Sequence, residues 1–96
     1  MIKVIERNGA ELLADGQPIN LSTLVHIGSE IVSCRIPTID SVRIETQGGR
    51  KTCLEDAISL AKQAGAEYVI LGQNPLYIAV GDVVSIAFVA SFYRPT

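Results

Sequence analysis

The carboxyl-terminal segment most constrains how this chain can fold, because a strand over residues 83–93 would be apolar on both faces. Successive side chains of a strand point to opposite faces of its sheet. One face of this strand would carry Val84, Ile86, Phe88, Ala90 and Phe92, and the other would carry Val83, Ala87 and Val89. A strand that is apolar on both sides needs a cover on each.

The strongest helix pattern in the chain lies at residues 52–64. Thr52 and Glu55 have the spacing of a capping box, which marks a helix start. Apolar residues then recur at helical spacing on one side: Leu54, Ala57, Ile58, Ala61 and Ala64. Gly65 is the kind of residue that ends a helix in the left-handed conformation. Because the apolar side is rich in alanine, we expect it to pack closely on a sheet.

One helix can cover only one face of the carboxyl-terminal strand, so the other face needs a second partner. A homo-oligomer interface is the preferred interpretation. The alternatives are a cover made by residues 1–36 and a membrane-like surface. No apolar run reaches the ~18–20 residues that cross a bilayer, so the chain is not expected to be transmembrane.

Turn and strand patterns surround this core. Asn8-Gly9, Asp15-Gly16 and Gly81-Asp82 are hairpin signals, and Gly28 indicates a bulge or bend in a strand. Residues 41–46 alternate polar and apolar side chains, which predicts a strand. The whole chain of 96 residues is therefore predicted to be a single α+β domain. Its sheet, mixed or antiparallel with five to six strands, would carry the one main helix on one face.

Composition excludes several function classes. Eight basic and ten acidic residues give a net charge of −2, which argues against binding to nucleic acid. One histidine and two cysteines provide no metal-ligand set, and no cofactor is expected. His26 has no nucleophile at a spacing that implies a catalytic pair. We therefore expect a protein that is not an enzyme.

Cys34 and Cys53 allow three interpretations: a structural disulfide, inert thiols, or a redox-active thiol at Cys53. The third rests on the predicted helix start and on the cations Arg50 and Lys51, which would lower the pKa of the Cys53 thiol. The same helix start suggests a small-anion site. Its candidate ligand-binding residues are Gly48, Gly49, Arg50, Lys51 and Thr52. The alternative is a flexible, solvated turn.

Residues 52–93 resemble small bacterial envelope proteins, namely the Rcs stress-sensor lipoprotein and the BhsA-type periplasmic stress and biofilm proteins. The resemblance lies in a helix that ends in Gly65-Ala66, a strand at residues 68–70, and a closing strand at residues 90–93. It implies a disulfide between Cys34 and Cys53 and an envelope protein as partner. It also implies a periplasmic or envelope location if a leader has been removed, and a cytoplasmic one otherwise.

The function expected from these observations is that of a non-enzymatic binding or assembly protein acting as a homo-oligomer, in the manner of an envelope stress or surface-associated factor. The alternative is a regulatory module that binds a small ligand or anion through residues 48–52.

Overall fold

The computed structural model describes residues 1–36, 42–81 and 83–96, with the backbone alone at residues 35–36 and 42–48. The strands are β1 (Lys3–Asn8), β2 (Glu11–Ala14), β3 (Gln17–Pro18), β4 (Leu24–Ile36), β5 (Tyr68–Leu71), β6 (Leu76–Val80) and β7 (Val83–Pro95). The α-helix α1 spans Val42–Gln63, and a short 3₁₀ helix spans Leu21–Thr23. The predicted α+β class with a mixed sheet is confirmed, with seven strands instead of five or six.

The central strand of the sheet is β7. The strand order is β3-β2-β1-β5-β7-β4, and β6 also pairs with β7. Along one side β7 pairs with β4, and along the other it pairs with β6 near its start and with β5 near its end. The pair β1 and β5 is parallel, whereas the other pairs are antiparallel. The carboxyl ends of β1 and β5 therefore lie at the same edge of the sheet.

Backbone geometry confirms the turn predicted at Asp15-Gly16. Asp15 and Gly16 have φ angles of 51° and 77°, which are the two positive values that a type I′ turn requires. The turn predicted at Asn8-Gly9 is wrong by one residue, because Asn8 pairs with Glu11 as the last residue of β1 and the connection is Gly9-Ala10, in which Gly9 alone has a positive φ (62°). Gly81 has the positive φ (61°) predicted for the turn before β7, and Asp82 lies outside the described residues. The bulge or bend predicted at Gly28 is also present, because the register of β4 against β7 shifts between His26 and Gly28.

The helix begins ten residues before the predicted start, so two predictions are wrong. Residues 42–46 are helical and do not form a strand, and Thr52 lies inside α1 and does not cap it. Ser41, the first residue of that predicted strand, lies outside the described residues. Two sequence signals argued against a helix before residue 52. Val42 and Ile44 alternate with polar residues, as in a strand, and a glycine such as Gly48 or Gly49 costs about 1 kcal/mol in a helix interior.

Packing against the sheet explains why a glycine is present inside this helix. A Cβ atom added to Gly49 would lie 2.8 Å from Cγ2 of Ile86 and 3.0 Å from Sγ of Cys34. A larger residue would push the helix away from β4 and β7. The contact with the sheet therefore offsets the low helix propensity of Gly49.

One row of small residues carries the contact between α1 and the sheet. The row repeats every four residues and is fully buried: Gly49, Cys53, Ala57 and Ala61. It packs on the side chains of β7 that alternate toward the helix, which are Ile86, Phe88, Ala90 and Phe92. The predicted close packing is confirmed for Ala57 and Ala61, whereas Ala64 is exposed because the helix has ended by that point.

The helix ends where the sequence predicts, in a Schellman motif. Gly65 has a φ angle of 76°, its N–H donates to the carbonyl of Lys62, and the N–H of Ala66 donates to the carbonyl of Ala61. These bonds satisfy carbonyls that the helix itself leaves free. They direct the chain from α1 into β5.

Candidate functional site

The face of the sheet opposite α1 exposes a group of aliphatic side chains. Six aliphatic side chains, here called the open face, are between 38% and 73% exposed: Ile31, Leu76, Ile78, Val80, Val83 and Val89. The strand registers place them together, since Ile31 pairs with Val89 and Val80 pairs with Val83. This is the second face of the carboxyl-terminal strand, for which the sequence predicts a partner.

Residues 1–36 do not supply that partner. Their longest strand, β4, lies in the plane of the sheet beside β7, and β1 to β3 extend the sheet beyond β5. The interpretation in which residues 1–36 cover this face is therefore wrong for these six side chains. The reason is that thirteen residues of β4 satisfy the backbone hydrogen bonds of β7 and cannot also lie across it.

The described side chains of the open face carry no charge, and Arg35, which pairs with Ser85 at a register position of this face, is described by its backbone alone. Within the described side chains, the register positions between its members are Ser33, Ser85 and Ala87. A polar group lies farther along β7, where Ser29 bonds to Ser91 (3.2 Å) and to the ring of His26 (2.9 Å). His26 is exposed, and its ring lies edge-on to that of Tyr93, with 5.2 Å between the ring centroids.

A second feature is a cavity of 550 Å³ at the carboxyl ends of β1 and β5. Arg50 of α1 reaches it, and its guanidinium donates to the carbonyls of Leu71 (3.1 Å) and Gly72 (2.5 Å). The same group lies 5.1 Å from the centre of the Phe88 ring. Three contacts thus fix the orientation of a partly buried cation.

The predicted anion site at residues 48–52 has a different geometry from the one expected. All five residues, Gly48, Gly49, Arg50, Lys51 and Thr52, lie within α1 and form no loop at its start. Gly49 faces the sheet, Arg50 faces the cavity, and Lys51 and Thr52 are exposed. The structure therefore does not bring these side chains to one ligand position. Arg50 instead lines one cavity together with Arg7, Gln73 and Asn74, which are distant from it in the sequence.

The third feature is the pair Cys34 and Cys53, which the structure holds as free thiols. Burial and a hydrogen bond to Cys34 raise the pKa of Cys53 from 9.0 to about 12. The charges of Cys34 and Asp56 make smaller contributions to the same rise, and the charge of Arg50 opposes it. The predicted lowering of the Cys53 pKa is therefore wrong, because Cys53 lies inside the helix, facing the core, and not at its start. The disulfide stays a prediction.

Two further properties of the described ranges bear on function. No helix in them has the length and apolar character needed to cross a membrane. No three His, Cys, Asp or Glu side chains among the same residues are grouped so that they could ligate a metal ion.

Comparison with known proteins finds no family model, no curated protein and no solved structure that matches the chain. The resemblance to small envelope proteins therefore stays a prediction, and so do the envelope partner and the compartment.

Proposed function

We propose that the protein is a non-enzymatic assembly protein that forms a homo-oligomer, in which the open face of one copy packs on that of another. The observation that carries this proposal is the exposure of six aliphatic side chains on one face of the sheet. Large contiguous apolar patches are rare on monomers and mark interaction sites. The strands of residues 1–36 lie within the sheet, and α1 packs on its other face.

The composition of the face supports a partner of the same kind. Homodimer interfaces are more apolar than those between different proteins. The described side chains of the open face are aliphatic, with serine and alanine between them, and they have this character.

A two-fold arrangement follows from these properties. In an isologous dimer the same patch serves both copies, so each residue meets the symmetry-related patch. Two sheets packed face to face lie about 10 Å apart with interdigitated side chains. The group of Ser29, Ser91, His26 and Tyr93 would then lie at the rim, where polar side chains retain access to water.

Sedimentation equilibrium over a range of protein concentrations tests the proposal. We expect the wild type to associate, and we expect Ile31→Glu and Ile78→Glu to weaken association at least about tenfold, since each would bury an unpaired carboxylate. Val25→Glu is the matched control: Val25 is also exposed on β4, but it pairs with Arg94 on the opposite face.

Two results would overturn this function. One is a wild-type protein that stays monomeric up to millimolar concentration. The other is equal weakening by Val25→Glu and Ile31→Glu, since the interface would then lie along the edge of β4 and not on the open face.

A further inference from the structure

We infer that the cavity at the carboxyl ends of β1 and β5 binds a small organic anion, with its charged group on Arg50 and its apolar part against the cavity wall. This site is separate from the open face, and it does not depend on oligomer formation. It also differs from the predicted loop at residues 48–52, because Arg50 is the one member of that set that lines the cavity.

The cavity has the size and lining of a ligand site. Its 550 Å³ falls within the range of about 300–1,000 Å³ that is usual for small-molecule pockets. Its apolar wall includes Ile5, Leu12, Leu21 and Ile70. A few convergent polar groups on an apolar wall are typical of sites that fix both the orientation and the identity of a small molecule.

Arg50 is held in place and retains donors for a ligand. A guanidinium has five N–H donors, and its two described hydrogen bonds are to the neutral carbonyls of Leu71 and Gly72. The Phe88 ring, its third contact, is also neutral. None of these contacts cancels the positive charge. A group that is fixed in advance loses little conformational entropy when a ligand binds.

The remaining charges of the cavity favour an anion. Arg7 and Arg50 line it together with a single carboxylate, Glu6. Gln73 and Asn74, in the turn after β5, add amide groups to the lining. The planar guanidinium fork matches carboxylate and phosphate groups in two parallel hydrogen bonds. The expected ligand class is therefore a small amphiphile with a carboxylate or phosphate head and a short aliphatic chain.

Titration of the ¹⁵N-labelled full chain with hexanoate and with hexyl phosphate, followed by NMR, tests this inference. We expect saturable shifts of the amides of Gly72, Gln73 and Asn74 with at least one of the two probes. The probe that binds more tightly distinguishes the carboxylate from the phosphate class. Hexan-1-ol, which has the same aliphatic chain and no charge, should bind at least about tenfold more weakly.

Three variants locate the charged group. Arg50→Lys keeps the charge but removes the fork, and we expect it to weaken binding about tenfold or more. Arg7→Gln, at an exposed position of β1, should weaken binding without any effect on the core, and it serves as the test if Arg50→Lys does not fold. Lys51→Gln is the matched control, because Lys51 is adjacent to Arg50, exposed, and outside the cavity lining.

Three outcomes would overturn the inference: no saturable shift with either anion, equal affinity for hexan-1-ol, or equal loss in Lys51→Gln and Arg7→Gln. The last outcome would indicate that the anion binds at the exposed face of α1 and not in the cavity. Retained binding in the Ile31→Glu variant would show that the cavity works without the open face, so failure of one proposal is distinguishable from failure of the other.

Discussion

Cys34 and Cys53 lie side by side across the contact between sheet and helix, and each thiol donates to a backbone carbonyl of the other's element. Sγ of Cys34, on β4, lies 3.4 Å from the carbonyl of Gly49 in α1. Sγ of Cys53, in α1, lies 3.7 Å from the carbonyl of Val32 on β4. Only protonated thiols can donate these bonds. The two bonds join the helix layer to the sheet layer of the fold.

The free energy of unfolding should fall with alkaline pH because of Cys53. Its folded pKa of about 12 lies above the ordinary 9.0, so the unfolded chain loses this proton first as the pH rises. The contribution is complete below pH 9 and decreases between pH 9 and pH 12, by up to about 1.4 kcal/mol per pH unit. Urea denaturation at several pH values should show a steeper decline for the wild type than for Cys53→Ala. Parallel declines would contradict the assignment.

The two thiols should also differ in their rate of alkylation. Cys34 is partly exposed, whereas Cys53 is fully buried and its thiol resists ionisation. Because the thiolate is the nucleophile, iodoacetamide at neutral pH should modify Cys34 first and Cys53 only on unfolding. Mass spectrometry of peptides at increasing reaction times measures this order. Equal rates in the native protein would show that α1 opens readily from the sheet.

Gly49→Ala should destabilise the protein although alanine is the better helix former. The gain in helix propensity is about 1 kcal/mol, whereas overpacking of a core typically costs ~1–3 kcal/mol. The added methyl group would meet Ile86 and Cys34. Urea denaturation of Gly49→Ala, with Gly49→Ala plus Cys34→Ala as the comparison, measures the effect. We expect partial recovery in the double variant, and a single variant as stable as the wild type would contradict the close approach.

Added salt should separate the two proposed interactions. The open face has no charge among its described side chains, so its self-association should be unchanged or strengthened when sodium chloride is raised to half-molar concentration. Anion binding at Arg50 should weaken over the same range, because ions screen the attraction and compete for the guanidinium. Sedimentation and NMR titration at both salt concentrations measure the two effects. Dissociation of the oligomer by salt would indicate an interface of charged groups.

Local signals in the sequence predicted the features that depend on local geometry. Asp15-Gly16 and Gly81 specify their turns through positive φ angles, and Gly65 ends α1 for the same reason. The apolar character of β7 on both faces predicted that its second face needs a partner besides the helix, and left open whether residues 1–36 or another subunit supplies it. These features need no knowledge of which distant segments meet.

Features that depend on contacts between distant segments could not be predicted. Glycine is favoured at position 49 because the helix backbone lies close to the side chain of Ile86, which is distant in the sequence. Likewise, Arg50 was identified as a candidate through its neighbours along the chain, whereas its structural partners are Leu71 and Gly72. The parallel pairing of β1 with β5 creates the cavity, and no local pattern encodes it.

The central position of β7 has a consequence for biosynthesis. On a ribosome, β4 leaves the exit tunnel long before β7, its only strand partner in the described fold. The thirteen residues of β4 therefore lack their strand partner while α1, β5 and β6 are translated. Nascent chains of this protein should thus be most vulnerable to aggregation in the interval before β7 emerges, when a molecular chaperone would be of most use.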